Sequence, residues 1–283
     1  MTAPQAGGER RQRRDALARQ RADQRDQRWA NNRFSVPYAL DGPKVLLGFA
    51  WFALAIGLFA LDPRALMPLL VAIASVSALQ TAFAWSADES TDRLVAAFVA
   101  GIVALCGFFG LTAVGLGVLI GVVVCIADGL AVGVTEPMQL IRFADVMVRS
   151  SIPAGLAMAS LAMLATDWPD AFVALLLLVS AYEAGDFLIG SGADNAIEGP
   201  IAGLLGVGVL GVGMTFVQPY PFDATSMPAF AAMAAVCCVR GQHVGSAILP
   251  HGIAWAPALR RLDSYLLIAL LWALLVPSLA GAT

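Results

Sequence analysis

Long apolar runs separated by short polar breaks recur along this chain from residue 45 almost to its end. A helix advances about 1.5 Å per residue, so a run of about 20 apolar residues spans the hydrocarbon core of a bilayer. Runs of that length, or nearly so, lie near 45–61, 65–85, 94–110, 111–134, 152–166, 169–189, 201–217, 227–239 and 264–280. The pattern predicts an all-α, polytopic integral membrane protein with about nine transmembrane helices. The run at 227–239 is short and must borrow from its flanks. Composition agrees: the chain is 59% hydrophobic and 13% charged with a mean hydropathy of +0.77, whereas a soluble domain carries about 25% charge.

Charge sets the expected orientation. Ten of the seventeen basic residues lie within residues 1–44, which places the amino terminus in the cytoplasm of a cell membrane. Threading nine spans from there puts Arg93, Arg142, Arg149, Arg240, Arg260 and Arg261 inside as well and leaves only Arg64 outside. Residues 1–44 read as a basic, disordered, topology-setting tail, because their arginines are interleaved with Gln, Asp and Ala and show little apolar periodicity. A polybasic arm on anionic lipid is the alternative, with Trp29, Phe34 and Tyr38 as interfacial anchors. Beyond these arginines nothing points to nucleic acid, and no nucleic-acid partner is expected.

The membrane part divides into two regions. Residues 45–166 are apolar and rich in Gly and Ala, and spacings such as Gly117 to Gly121 suit close helix packing in lipid. Residues 167–283 hold nearly all the polar groups of interest, in two expected cytoplasmic loops, from about Glu183 to Gly199 and from Arg240 to Asp263. Cys106, Cys125, Cys237 and Cys238 fall inside apolar runs without metal-type spacing and read as small buried hydrophobes. The Gly-rich helix near 201–214 reads as a packing element. No internal repeat is evident, so a transporter built on inverted repeats has little support.

Glu183 and Asp186 are three residues apart at the inner end of the sixth run, which puts them on one helix face. Asp128 sits near the inner end of the fourth. Acids at membrane depth are costly and normally face a polar cavity or a partner. Basic partners are scarce, since residues 45–283 carry seven Arg, no Lys and fifteen acids. A divalent cation would neutralise them, and simple hydration at the water boundary is the alternative.

Three segments then appear in order: Tyr182-Glu-Ala-Gly-Asp-Phe-Leu-Ile-Gly190, Gly192-Ala-Asp-Asn-Ala-Ile-Glu-Gly199, and Ile248-Leu-Pro-His-Gly-Ile-Ala-Trp-Ala-Pro-Ala-Leu-Arg-Arg-Leu-Asp-Ser264. Together they resemble the phosphatidate cytidylyltransferase (CDP-diacylglycerol synthase) family over about residues 170–280. That family reads roughly D-x-G-A-Y-x-x-G, then S-P-K-K-T-x-E-G-x-x-G-G, then a last loop with K-D, P-G-H-G-G and D-R-x-D-S. Glu198, Gly199, Gly203, Pro250, His251, Gly252, Arg261, Asp263 and Ser264 stand where the pattern has the same residue, and Glu183 stands for an Asp.

The resemblance implies transfer of CMP from CTP to a lipid phosphate, phosphatidic acid or a relative, with release of pyrophosphate in phospholipid biosynthesis. It assigns Asp263, Arg261 and His251 to catalysis, where Arg260 joins them as a cation facing phosphate, and Glu198, Gly199, Gly252 and Ser264 to substrate. Asp263, Glu183 and Asp186 would hold Mg2+, and a homodimer is implied. The chain also departs from the pattern. The paired lysines before Glu198 are Asp194-Asn195, the Lys-Asp pair falls near Gln242-His243-Val244, and the first acid of the last motif is Arg260. A triphosphate needs cations where charge develops, and each such contact is worth about 3–4 kcal/mol in rate. Arg260 and Arg261 are the available substitutes, since guanidinium binds phosphate in a bidentate fork. The second expectation is therefore a catalytically inactive relative that binds lipid or regulates a membrane partner.

Overall fold

The computed structural model describes residues 44–85, 93–191, 197–251 and 254–280. The basic tail, Asp194-Asn195 and Gly252 lie outside the described residues. Among those described, the chain is helical throughout, with two short 3-10 turns and no strand. The helices are α1 (Lys44–Leu61), α2 (Met67–Trp85), α3 (Arg93–Cys106), α4 (Leu111–Ala131), α5 (Pro137–Asp167), α6 (Pro169–Gly190), α7 (Glu198–Val217), α8 (Ser226–Ile248), α9 (Pro257–Leu262) and α10 (Tyr265–Ala280).

Each apolar run falls on a helix, and local chemistry explains the joints. Asp62 accepts a hydrogen bond from the Arg64 amide at 2.7 Å and Pro63 opens the turn into α2. Gly110, at φ 90°, lets α3 reverse into α4 without a loop. Pro169 ends α5 and starts α6 within two residues, because it cannot donate to the preceding turn. Asp223 begins α8: its carboxylate accepts from the amides of Thr225 and Ser226, while Ser226 Oγ accepts from the Asp223 amide. This is a reciprocal capping box.

Among the described residues, five helical stretches are long and apolar enough to cross a membrane: Pro63–Trp85, Leu111–Ala131, Pro137–Asp167, Pro169–Gly190 and Glu198–Val217. Ala50–Leu61, Arg93–Phe109 and Tyr265–Leu279 are apolar but shorter. The outer face of α7 carries Leu205, Val209 and Phe216 exposed, the last at 84%. Water would penalise that face, whereas hydrocarbon accepts it. This is the surface of a membrane protein.

Two boundaries differ from the sequence reading. α5 begins at Pro137, well before residue 152, and its 31 residues extend about 46 Å, beyond the ~30 Å hydrocarbon core. α8 continues to Ile248, so Gln242 and His243 are helical and not part of a loop that starts at Arg240. Polar residues on a buried helix face gave no apolar periodicity to read.

α5 is the central element and packs against α2, α3, α4 and α10. Small residues set the closest approaches. A Cβ on Gly121 would lie 2.7 Å from Val99 Cγ1, and one on Gly203 would lie 2.7 Å from the Tyr182 ring. Close contact of this kind holds helices together where burying apolar area drives little. The Gly-rich α7 is thus a packing helix against α6. Cys125, Cys237 and Cys238 are buried, Cys106 is half-buried, and all four are free thiols.

Candidate functional site

Three elements meet at the end of α6. α6 contributes Tyr182, Glu183 and Asp186, α8 contributes Gly241, Gln242, Gly245 and Ser246, and the α9–α10 junction contributes Arg260, Arg261, Asp263 and Ser264. On α8 the four residues follow an i, i+1, i+4, i+5 spacing, which places them on one face.

That face organises the others. Gln242 Nε2 donates to Asp186 Oδ2 at 2.8 Å, and the Tyr182 hydroxyl donates to Gln242 Oε1 at 3.0 Å. All three side chains are buried. Arg260 Nη1 donates to Ser246 Oγ at 2.7 Å and stands 3.9 Å from Asp263 Oδ2. The two glycines open the space for Asp263. A Cβ on Gly245 would lie 2.6 Å from the Asp263 Cβ, and one on Gly241 would strike the Asp263 carbonyl.

Asp263 is 2% exposed and Ser264 is 1% exposed. Asp263 Oδ2 has the Arg260 guanidinium as its ion-pair partner and accepts no close hydrogen bond, and the Ser264 hydroxyl lies beside both Asp263 and Glu183. Burial pushes the Asp263 carboxyl up to about 7, against the opposing pull of the Arg260 guanidinium, and the neighbouring Asp186 adds to the rise. Burial also lowers Arg260, which Asp263 counteracts. Glu183 lies within electrostatic reach of Asp263, Arg261, Asp186 and Ser264.

A cavity of about 290 Å³ opens beside this cluster, bounded by α1, α2, α5, α6, α9 and α10. Its walls are mostly hydrocarbon, including Phe52, Ile73, Met158 and Phe172, and one end carries Glu183 and Arg261. Such a cavity is amphipathic along its length, apolar for most of its depth and charged at one limit.

Of the residues expected from the sequence, Asp263, Arg260, Arg261, Glu183, Asp186 and Ser264 come together. Glu198 is exposed in the first turn of α7, with Gly199 buried next to it, and His251 is exposed after α8. None of these three lines the cavity. His243 faces its own helix, with Nδ1 2.8 Å from the Val239 carbonyl. Tyr182, Gln242, Ser246 and the two glycines of α8 were not expected. Their signal was the small and polar residues recurring on one helical face of an otherwise apolar segment. Two residues of α2 also support the site from a distance: Trp85 Nε1 donates to the Ile248 carbonyl at 2.7 Å, and Gln80 Oε1 accepts from the Ala258 amide at 2.8 Å.

Among the described residues, no three His, Cys, Asp or Glu side chains converge as a metal site. Asp186 has Oδ2 engaged by Gln242. Mg2+ needs fewer protein ligands, because it is commonly held by one or two carboxylates together with substrate phosphate oxygens. Asp263, whose Oδ2 accepts no close hydrogen bond, and the nearby Glu183 fit that mode. Comparison of the chain with protein-family models, curated proteins and solved structures gives no match. The fold and its surface define an all-helical membrane protein, and the reading of its activity comes from the site.

Proposed function

We propose that this protein is a phosphatidate cytidylyltransferase-like membrane protein that transfers CMP from CTP to a lipid phosphate. The observation that carries the reading is the amphipathic cavity ending on Arg261 and Glu183, next to the buried and incompletely satisfied Asp263. The lipid chain occupies the hydrocarbon walls, and Arg261 binds the phosphate through a charge-assisted fork. A phosphate oxygen of the lipid attacks the α-phosphorus of CTP. The bond from that phosphorus to the oxygen bridging it to the β-phosphorus breaks, and pyrophosphate leaves with the electron pair. Glu183 and Asp263 would hold Mg2+, which would supply charge neutralisation between the two anions. Arg260, fixed by Ser246, orients Asp263, and the packed apolar wall keeps water from competing with the lipid.

A second reading is a lipid-phosphate-binding protein without transfer, acting on a membrane partner. It is favoured by the distribution of cations, since Arg260 is engaged by Ser246 and Asp263 and no Lys follows Lys44. Among the described lining residues Arg261 is the cation, which suits a monophosphate head better than a triphosphate. CTP binding to purified protein with and without Mg2+, beside Asp263→Ala, separates the two. Mg2+-dependent binding that the variant loses, followed by release of pyrophosphate on adding phosphatidic acid, supports transfer. Binding of phosphatidic acid with no CTP binding at millimolar concentration supports the second reading and removes the first.

Either reading places the chain in a cell membrane with nine spans, the basic amino terminus in the cytoplasm and the carboxyl terminus outside. Arginines at the inner ends of the runs support this topology. Reporter fusions at each terminus test it, and reporters active on the same side would overturn the odd number of spans. The homodimer is a further part of this reading, checked by mass in detergent.

A further inference from the structure

α3 and α4 are out of register with the helix they pack on. The turn that joins them, Gly107–Phe109, sits directly against α5, where a Cβ on Gly107 would strike the Ala159 carbonyl. Asp167, where α5 ends, lies eight residues further on, about 12 Å along the axis. Trp168 and Tyr220, stacked with ring centroids 5.9 Å apart, follow at once, as aromatic residues do at a membrane interface. The α3–α4 turn therefore stops well short of the level that the α5–α6 joint reaches. α3 itself has 14 residues, about 21 Å against the ~30 Å of a hydrocarbon core. α4 is longer, but its surplus points the other way. A Cβ on Gly129 would lie 2.7 Å from Leu140 and 2.9 Å from Phe143, on the stretch of α5 where Arg142 and Asp145 are exposed.

The joint is also built differently from its neighbours. The other outer joints carry charge: Asp62 and Arg64 after α1, Asp167 and Asp170 between α5 and α6, and Asp223 before α8. Cys106-Gly-Phe-Phe-Gly-Leu111 carries none, and it turns Phe109, 71% exposed, and Leu111, 55% exposed, away from the protein. Little of its backbone is irregular. α3 runs straight into the 3-10 turn, Gly110 alone separates that turn from α4, and the Gly110 carbonyl accepts from the Val114 amide at 3.1 Å. Water penalises large exposed apolar side chains. Hydrocarbon accepts them, and it demands that few backbone groups be left unpaired.

We infer that α3 and α4 form a re-entrant hairpin that enters from the cytoplasmic side and turns inside the outer leaflet, with Phe109 and Leu111 packed against lipid acyl chains. Its direction rests on the topology proposed above. Both arms keep their cytoplasmic ends, so the number of complete crossings falls by two and stays odd. Neither arm lines the cavity, so the hairpin does not require transfer to occur.

The full-length protein in nanodiscs of dioleoylphosphatidylcholine presents both membrane faces to one aqueous reagent. Phe109→Cys and, separately, Leu111→Cys are treated there with a membrane-impermeant maleimide, beside Tyr220→Cys and the wild type, whose native thiols set the background. Both turn side chains point out of the fold, so either substitution removes little packing. Tyr220→Cys, 59% exposed at the outer joint, is labelled. The two turn variants stay at background until SDS unfolds them, when each gains one reactive thiol over the wild type. A nitroxide attached to the same cysteines before reconstitution supplies a positive reading. At residue 109 oxygen, which partitions into hydrocarbon, relaxes the label more than a water-soluble nickel chelate does, and at residue 220 the order reverses. Maleimide labelling of both turn variants at the level of Tyr220→Cys, or relaxation at 109 dominated by nickel, overturns the hairpin, including the case in which the bilayer thins until water reaches the turn. Terminal reporters active on the same side overturn the proposed topology instead and leave the depth of the turn as measured.

Discussion

Gly245 and Gln242 carry consequences out of proportion to their size. A methyl group on Gly245 has no room, since Asp263 Cβ lies 2.6 Å from where it would sit. Gly245→Ala is therefore expected to destabilise the protein by about 1–3 kcal/mol, as overpacking does, and to displace Asp263 from the cluster. The measurement is thermal unfolding in detergent alongside phosphatidic acid binding. Unfolding and binding both equal to wild type would show that α8 does not set Asp263. Gln242 joins Tyr182 to Asp186 through both ends of one amide. Gln242→Leu removes the donor from a buried carboxylate, at about 1–3 kcal/mol for a buried polar group left short of a partner. Gln242→Glu is expected to be worse, because it sets a second carboxylate against Asp186. A melting temperature for the Glu variant at or above that of the Leu variant would contradict this account.

At the scale of single elements, α8 depends on its cap and α7 on its glycines. The hydrogen bonds from Ser226 and Thr225 hold the Asp223 carboxyl below its usual range. A lowered acid stabilises the fold at pH values above the ordinary carboxylate range, and that contribution is lost as pH falls through the lowered value. Asp223→Ala is expected to lower the melting temperature at neutral pH, with the gap to wild type narrowing in acid. A gap that stays constant from pH 7 to about pH 3, across the carboxylate range, would mean the carboxylate charge is not the cause. Gly203→Val tests the α6–α7 contact. Its side chain has to enter the Tyr182 ring, whose near edge is 2.7 Å from the Cβ position, and Tyr182 in turn orients Gln242. Loss of lipid binding together with stability is expected; intact binding would separate the helix pair from the site.

The two regions of the chain share one core. α10 packs against α5, and α2 reaches the site through Gln80 and Trp85. Trp85→Phe keeps one aromatic ring and removes the five-membered ring that carries the donor to the Ile248 carbonyl, which leaves an acceptor short of a partner at the end of α8. A melting-temperature drop equivalent to about 1–3 kcal/mol is the expected result, and an unchanged melting temperature would show that water replaces the indole. The Arg149 guanidinium lies 5.3 Å over the same Trp85 ring and is paired with Asp145 at 2.6 Å. The site therefore leans on residues from the region that reads as a plain hydrophobic scaffold.

Much of the architecture was written in the linear pattern, because an apolar run of helical length has one favourable outcome in lipid. The helices, their Pro and Gly joints, the shared face of Glu183 and Asp186, and the packing role of α7 all follow from neighbours within a few residues. The remainder needed the third dimension. Gln242, Ser246, Gly241 and Gly245 acquire meaning only when α8 meets α6 and the α9–α10 junction. His251 and Glu198 share motifs with Asp263 and yet stand apart from the cavity that it adjoins. Contacts between residues 56 or 60 positions apart, such as Gln242 with Asp186 and Tyr182, leave no periodic trace. Local spacing determined which helices form and which faces carry charge; tertiary packing decided which charges share a cavity, because burial and hydrogen bonding depend on what lies opposite and not on what lies next in the chain.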